Sequence, residues 1–178
     1  MLRTLNELGE PFSRFGGEIM MVRRADLKRV LAFGMQRYGG TKLQTNATLI
    51  EETDLTLFRD YAVQVGVSID GPAGLNDAHW AGTLTATRRA TVRTEAVIET
   101  LCREGTPPGI VITLHRLNAQ GARPDILVDW LLFLDELGVR RISMICWKPI
   151  TWRSEPISSS LRRKTSLFCA ACERSSAN

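Results

Sequence analysis

Cysteine is scarce in this sequence. Four occur among 178 residues, Cys102, Cys146, Cys169 and Cys172, and none precedes Cys102. Thiols this few and scattered exclude a disulfide-stapled secreted framework and predict a reducing, cytoplasmic setting. No apolar run approaches the roughly 18 residues that a membrane helix needs, so no membrane association is expected. The first residues, Met1 to Glu7, lack the apolar stretch and small-residue cleavage site of a secretory signal. Nor is there a basic face with interleaved aromatics, which argues against nucleic acid as a partner. The net charge of +4 is uneven. Residues 151–178 carry Arg153, Arg162, Arg163, Lys164 and Arg174 against Glu155 and Glu173, a net +3 that leaves about +1 for the rest.

What is present is a chain long enough for one domain with a real core. Its most informative stretch runs from Gln64 to Pro72. Val65, Val67 and Ile69 make it a strand candidate, and Asp70, Gly71 and Pro72 break it with a dense turn signal. An apolar run of this kind predicts a short parallel strand covered on both faces by helices. Ligands in parallel α/β folds sit at the carboxyl ends of strands, which makes Ser68 and Asp70 candidate site residues. Asp70 has a second reading, as the cap of the turn that follows it.

The same rhythm recurs along the chain. Helices are expected over residues 23–38, from Thr53-Asp54 to Ala62, over 83–104 and over 123–137. Inward stripes are Leu27, Val30, Leu31, Met35 and Tyr38 in the first, and Ala90, Val97 and Leu101 in the third. The fourth presents Ile126, Leu127, Trp130, Leu131, Leu134 and Leu137. Extended segments fall at 41–49, 64–70, 110–114 and 139–146. Polar strand ends recur at Gly16, Gly17 and Glu18, at Gln44, Thr45 and Asn46, at Ser68 and Asp70, at Thr113 and His115, and at Ser143 and Met144. In a parallel sheet these share one rim. The pattern predicts an α/β fold, an incomplete (β/α)6 partial TIM barrel of about five parallel strands with outer helices. Residues 1–147 form that core; residues 148–178 lose all periodicity and read as an irregular basic Ser/Arg-rich tail.

Three motifs, Phe15-Gly16-Gly17-Glu18, Gln44-Thr45-Asn46 and the run from Val65 to Pro72, fall at three consecutive strand ends. In order and spacing they resemble the radical S-adenosylmethionine (SAM) enzymes over residues 12–146. The likeness is to the peptide- and protein-modifying, sulfatase-maturase-like branch (SPASM-type). The resemblance implies S-adenosyl-L-methionine and a [4Fe-4S] cluster as cofactors, and a peptide or protein as substrate. It implies reductive cleavage of SAM to a 5′-deoxyadenosyl radical that abstracts a substrate hydrogen. By position, Gly16, Gly17 and Glu18 would receive the methionine amino group. Glycines allow close backbone approach, and a carboxylate balances an ammonium. Ser68 would hydrogen-bond SAM, and Gln44, Thr45 and Asn46 would line the adjacent rim. Asp70 belongs to the same set, as ligand contact or as turn anchor.

The chain also departs from that pattern. The Cys-x3-Cys-x2-Cys segment expected before Gly-Gly-Glu is absent, so the cluster ligands are missing and no metal ligand is assigned. Ile19 stands where a proline usually follows, and Trp80 where an arginine is expected. The reading is therefore a truncated, inactive radical SAM core; the alternative is a non-catalytic α/β nucleotide-binding or interaction module. Cys169 and Cys172 form a CxxC with no second pair nearby, an incidental tail pair rather than a metal site. Cys102 and Cys146 read as core thiols, and His115 as a hydrogen-bonded structural group. The tail serines have no Ser-His-Asp companions, so a hydrolase has nothing to stand on. No catalytic residue and no oligomeric state are assigned.

Overall fold

The computed structural model of the chain describes residues 17–146 and the backbone of Ser13–Arg14. Gly16, the tail with Cys169 and Cys172, and the boundary after residue 147 lie outside the described residues. In chain order the elements are β1 (Ser13–Arg14), α1 (Arg24–Tyr38), β2 (Thr41–Thr45), α2 (Glu52–Asp60) and β3 (Val63–Ser68). They continue with α3 (Leu84–Arg103), β4 (Gly109–Leu114), the short α4 (Arg116–Ala119), α5 (Arg123–Glu136) and β5 (Arg141–Cys146). Single 3-10 turns at Ile19–Met21 and Ala73–Asn76 follow β1 and β3.

The five strands form one sheet in the order β1-β2-β3-β4-β5, and every neighbouring pair is parallel. An all-parallel sheet with strands in sequence order and helices between them is the expected partial barrel. Register aligns Leu43 with Val65, Val67 with Ile110, and Ile112 with Met144.

The core lies on one face of the sheet. Leu43, Val65, Val67, Ile69, Ile110, Ile112 and Leu114 are buried together with Leu27, Leu31, Phe58, Ile98, Leu101, Leu127, Trp130 and Leu134 from the helices. On the other face Lys42 and Gln64 are exposed, and Gln44, Gly66, Ser68, Val111 and Thr113 are half-buried. The expectation that β3 is covered on both faces is thus corrected. Gln64, Gly66 and Ser68 alternate with Val65, Val67 and Ile69, a period of two that leaves one face open. Among the described residues β5 is the least covered strand, with Ile145 55% exposed.

Several local expectations also shift. The helix α3 buries Thr87, Thr91, Thr94, Ile98 and Leu101, whereas Ala90 and Val97 are only half-buried. Threonine serves here because each hydroxyl bonds back one turn, Thr87 to Thr83 O (2.8 Å), Thr91 to Thr87 O (3.0 Å) and Thr94 to Ala90 O (3.0 Å). The polar atom is satisfied and the methyl faces the core. In α5, Leu127, Trp130 and Leu134 are buried, but Ile126 turns outward, 51% exposed. In α1, Met35 is 41% exposed rather than inward. The helix α2 starts a residue before Thr53, because Glu51 N donates to the Asp54 carboxylate (3.0 Å). That buried carboxylate also takes both guanidinium nitrogens of Arg24 (2.6 and 3.2 Å), which locks α2 to α1. No described helix is long and apolar enough to cross a membrane.

One glycine governs the exit from β3. Gly71 has φ +136, and a Cβ there would stand 2.9 Å from Leu75 Cβ and 3.3 Å from Leu127 Cδ1. Replacing Gly71 with alanine combines backbone strain with overpacking, and is expected to cost at least about 2 kcal/mol. A urea titration followed by far-UV circular dichroism measures this; an unchanged midpoint contradicts the packing described for this turn.

Candidate functional site

Glu18 follows β1, and its carboxylate is tied to the end of β2. Oε1 accepts from Thr45 Oγ1 (2.6 Å) and from Met20 N (3.0 Å), and Oε2 accepts from Asn46 N (2.9 Å). A carboxylate has about four acceptor positions. One position on Oε2 therefore remains for a donor from outside. Gly17 precedes it, exposed and in the left-handed region at φ +64, which turns the chain so that Glu18 meets β2.

One strand further across, Gln44 Nε2 donates to Ser68 Oγ at 2.6 Å. Both side chains stand on the open face, because Gln44 is level with Gly66, two residues before Ser68. Thr45 is buried and serves as a strut: it donates to Glu18, and its Oγ1 accepts from Ala47 N (2.9 Å). Asn46 caps the same turn, its Oδ1 accepting from Thr48 N (3.0 Å) and Thr48 Oγ1 (2.6 Å). The structure thus gathers Glu18, Gln44, Thr45, Asn46 and Ser68 on one rim.

Asp70 occupies a buried position at the end of β3. Its Oδ1 accepts from Thr113 N (2.8 Å), and its Oδ2 meets Nε2 of both His79 (3.1 Å) and His115 (3.2 Å). Its backbone is held as firmly: N donates to Asn76 Oδ1 (2.8 Å) and O accepts from Asn118 Nδ2 (2.9 Å). Asn118 Nδ2 also reaches Thr113 O (2.9 Å), and Asn76 Nδ2 reaches Thr91 Oγ1 (2.9 Å). Asp70 is therefore the anchor that joins β3, β4, α3 and α4, the turn role that sequence offered for it. His115 has the structural role expected of it.

Ser143 is level with Val111 and, through it, with Ser68 of β3, while Met144 lies one residue further along and β5 runs on to Cys146. The convergence of His79 on Asp70 was not legible beforehand, since a loop joins them. The loop anchors Asn76 and Asn118 were missed as well; only Asn118, three residues after His115, carries a local capping signal.

The donor set does not fit an iron–sulfur cluster. Such clusters are held by several cysteine thiolates. Among the described residues, Cys102 lies in α3 and Cys146 ends β5, and no three His, Cys, Asp or Glu side chains are grouped to hold a metal ion. Burial, followed by the nearby Glu99 charge, pushes the Cys102 thiol up, away from ligation. The rim does fit a polar, amine-bearing ligand, through the unfilled acceptor position of Glu18.

A separate groove of about 280 Å³ lies between α3 and α5, lined by Val92, Glu95, Glu99, Trp130 and Phe133. Burial and then the neighbouring Glu99 raise the Glu95 carboxyl, against a hydrogen bond from Trp130. It carries no nucleophile and no rim residue.

Burial alone would raise the Asp70 carboxyl, but bonds from His79 and Thr113 N, with the pull of both imidazoles, hold it below its ordinary value. A lowered carboxyl contributes stability that is complete above the unfolded value of about 3.9 and is lost as pH falls through the lower folded value. Urea midpoints measured between about pH 6 and pH 2 should fall steeply for the wild type below about pH 4. Asp70→Asn should be less stable at neutral pH and flatter in acid; parallel curves contradict the assignment.

No family model and no curated protein matches the sequence. Solved structures do match in fold. Native anSMEcpe with bound AdoMet and Cp18Cys peptide superposes with a TM-score of 0.63 at 19% identity, covering 88% of this chain and 44% of that one. Native anSMEcpe with bound AdoMet and Kp18Cys peptide gives 0.60 at 18%, covering 83% and 41%. The chain thus spans less than half the length of these structures. The likeness is one of fold: a parallel sheet with strands in sequence order and helices between them, shared with these AdoMet-bound sulfatase-maturase structures.

Proposed function

We propose that the rim of this chain is a seat for S-adenosylmethionine, and that the chain derives from a radical SAM enzyme of the peptide- or protein-modifying type. The observation that carries this reading is Glu18, fixed by three internal donors with one acceptor position left. An ammonium is the donor that such a carboxylate holds best. Gly17 brings the backbone to the amino acid half, with Gly16 assigned beside it by sequence position alone, and Gln44 and Ser68 offer their linked polar groups beside it. Thr45 and Asn46 act mainly by fixing Glu18, and Asp70 by fixing the neighbouring turns. The solved structures of this fold hold AdoMet with a peptide, which supports the same two ligands here.

The [4Fe-4S] cluster, when bound in such an enzyme, supplies the electron that cleaves SAM. The cysteines for it are not among the described residues, and the sequence has none before Cys102. The chain by itself is accordingly read as a nucleotide-binding core without turnover, working in the cytoplasm. A peptide or protein is the substrate class of the complete enzyme.

Calorimetry with S-adenosylhomocysteine tests the seat. Saturable binding is expected, and Glu18→Gln should weaken it by about 10- to 100-fold, the worth of a charged hydrogen bond. Absence of binding, or a Glu18→Gln variant with unchanged affinity, removes the reading. Anaerobic reconstitution with iron and sulfide tests the second part: a stoichiometric, SAM-responsive cluster signal from this chain contradicts its assignment as inactive.

A further inference from the structure

We propose that His79 is the hydrogen-bond acceptor for the nucleoside half of the rim ligand, with Asp70 as the residue that positions it; the proposal rests on the S-adenosyl reading. The argument begins with proton placement at His115. Leu117 N donates to His115 Nδ1 at 3.1 Å, so the proton of that ring is on Nε2, where it donates to Asp70 Oδ2 (3.2 Å). His79 reaches the same oxygen through its own Nε2 at 3.1 Å. An ionised carboxylate only accepts, so His79 Nε2 is a donor, and the ring in its neutral form keeps a lone pair on Nδ1.

That nitrogen has no bond from any described residue, and the His79 side chain is 32% exposed where His115 is 17%. Among the described residues no three His, Cys, Asp or Glu side chains are grouped to hold a metal ion, so a hydrogen-bond donor is the partner that this nitrogen suits. Nearby charge is already neutralised: Asp77 is paired with Arg88 at 3.1 Å. Trp80 follows His79 in sequence and is 63% exposed. His79 is thus an oriented acceptor at the rim, awaiting a donor.

The ligand offers three kinds of donor: the ammonium, the ribose hydroxyls and the exocyclic amine. Glu18, which follows β1 and is bonded to the end of β2, takes the ammonium. His79 is gathered at the ends of β3 and β4, about one to two strand spacings, or roughly 5–10 Å, further along the sheet. A molecule lying across the strand ends with its amine at Glu18 brings its nucleoside to His79.

Calorimetry with S-adenosylhomocysteine and with 5′-methylthioadenosine, which lacks the amino acid, separates the two ends. His79→Ala should weaken both by about 3- to 10-fold, the range of a neutral hydrogen bond. Glu18→Gln should weaken only the first. Either ligand binding the His79→Ala variant as tightly as the wild type overturns the proposal and leaves the S-adenosyl seat standing. A wild type that binds neither removes both. Long-range proton–nitrogen spectra of the histidine rings read the role of Asp70. His79 should be the Nε2–H tautomer in the wild type and a mixture in Asp70→Asn; an Nδ1–H ring in the wild type overturns the proposal.

Discussion

The architecture of this chain depends on two carboxylates that are bonded into strand ends. Asp70 binds a backbone N–H of β4 and two imidazoles, and Glu18 binds a hydroxyl and a backbone N–H at the end of β2. A charge removed from water is tolerated only when hydrogen bonds replace the water. Each carboxylate meets that demand by pulling a neighbouring strand end or loop toward itself. The consequence is a rim whose polar groups are set before any ligand arrives, which is what binding without a large ordering cost requires.

The main lines of this arrangement were legible in the residues. Glycines after the helices, the Asp-Gly-Pro break and the repeating polar strand ends were enough for a parallel sheet in sequence order. Glu18 beside Thr45 and Asn46 followed from the motifs once the strands were aligned. The open face was also written in the sequence, as Gln64, Gly66 and Ser68 between Val65, Val67 and Ile69, but β-branched density masked the alternation. The core face of α3 escaped because its threonines look polar. Their hydroxyls are spent within the helix, and what packs is a methyl group.

Long-range convergence is a different matter. His115 and Asp70 stand 45 residues apart in sequence, and His79 reaches the same oxygen from a loop. No period or cap announces such a meeting, since it depends on how two loops fold over a third strand end. A lone histidine read from sequence is therefore undervalued when its partner is a carboxylate on another strand. Here two of them share one carboxylate, and only one remains open to a ligand.

A fold that is shared with AdoMet-bound structures locates a site but does not establish a reaction, which lives in particular side chains. Here the strand-end carboxylates are held in place, while no three His, Cys, Asp or Glu side chains among the described residues are grouped for a metal. Hydrogen–deuterium exchange with and without saturating S-adenosylhomocysteine tests that central claim most directly. The account predicts protection over residues 17–21, 44–48, 68–79 and 113–118 together. Protection confined to the α3–α5 groove, or none anywhere, would contradict it.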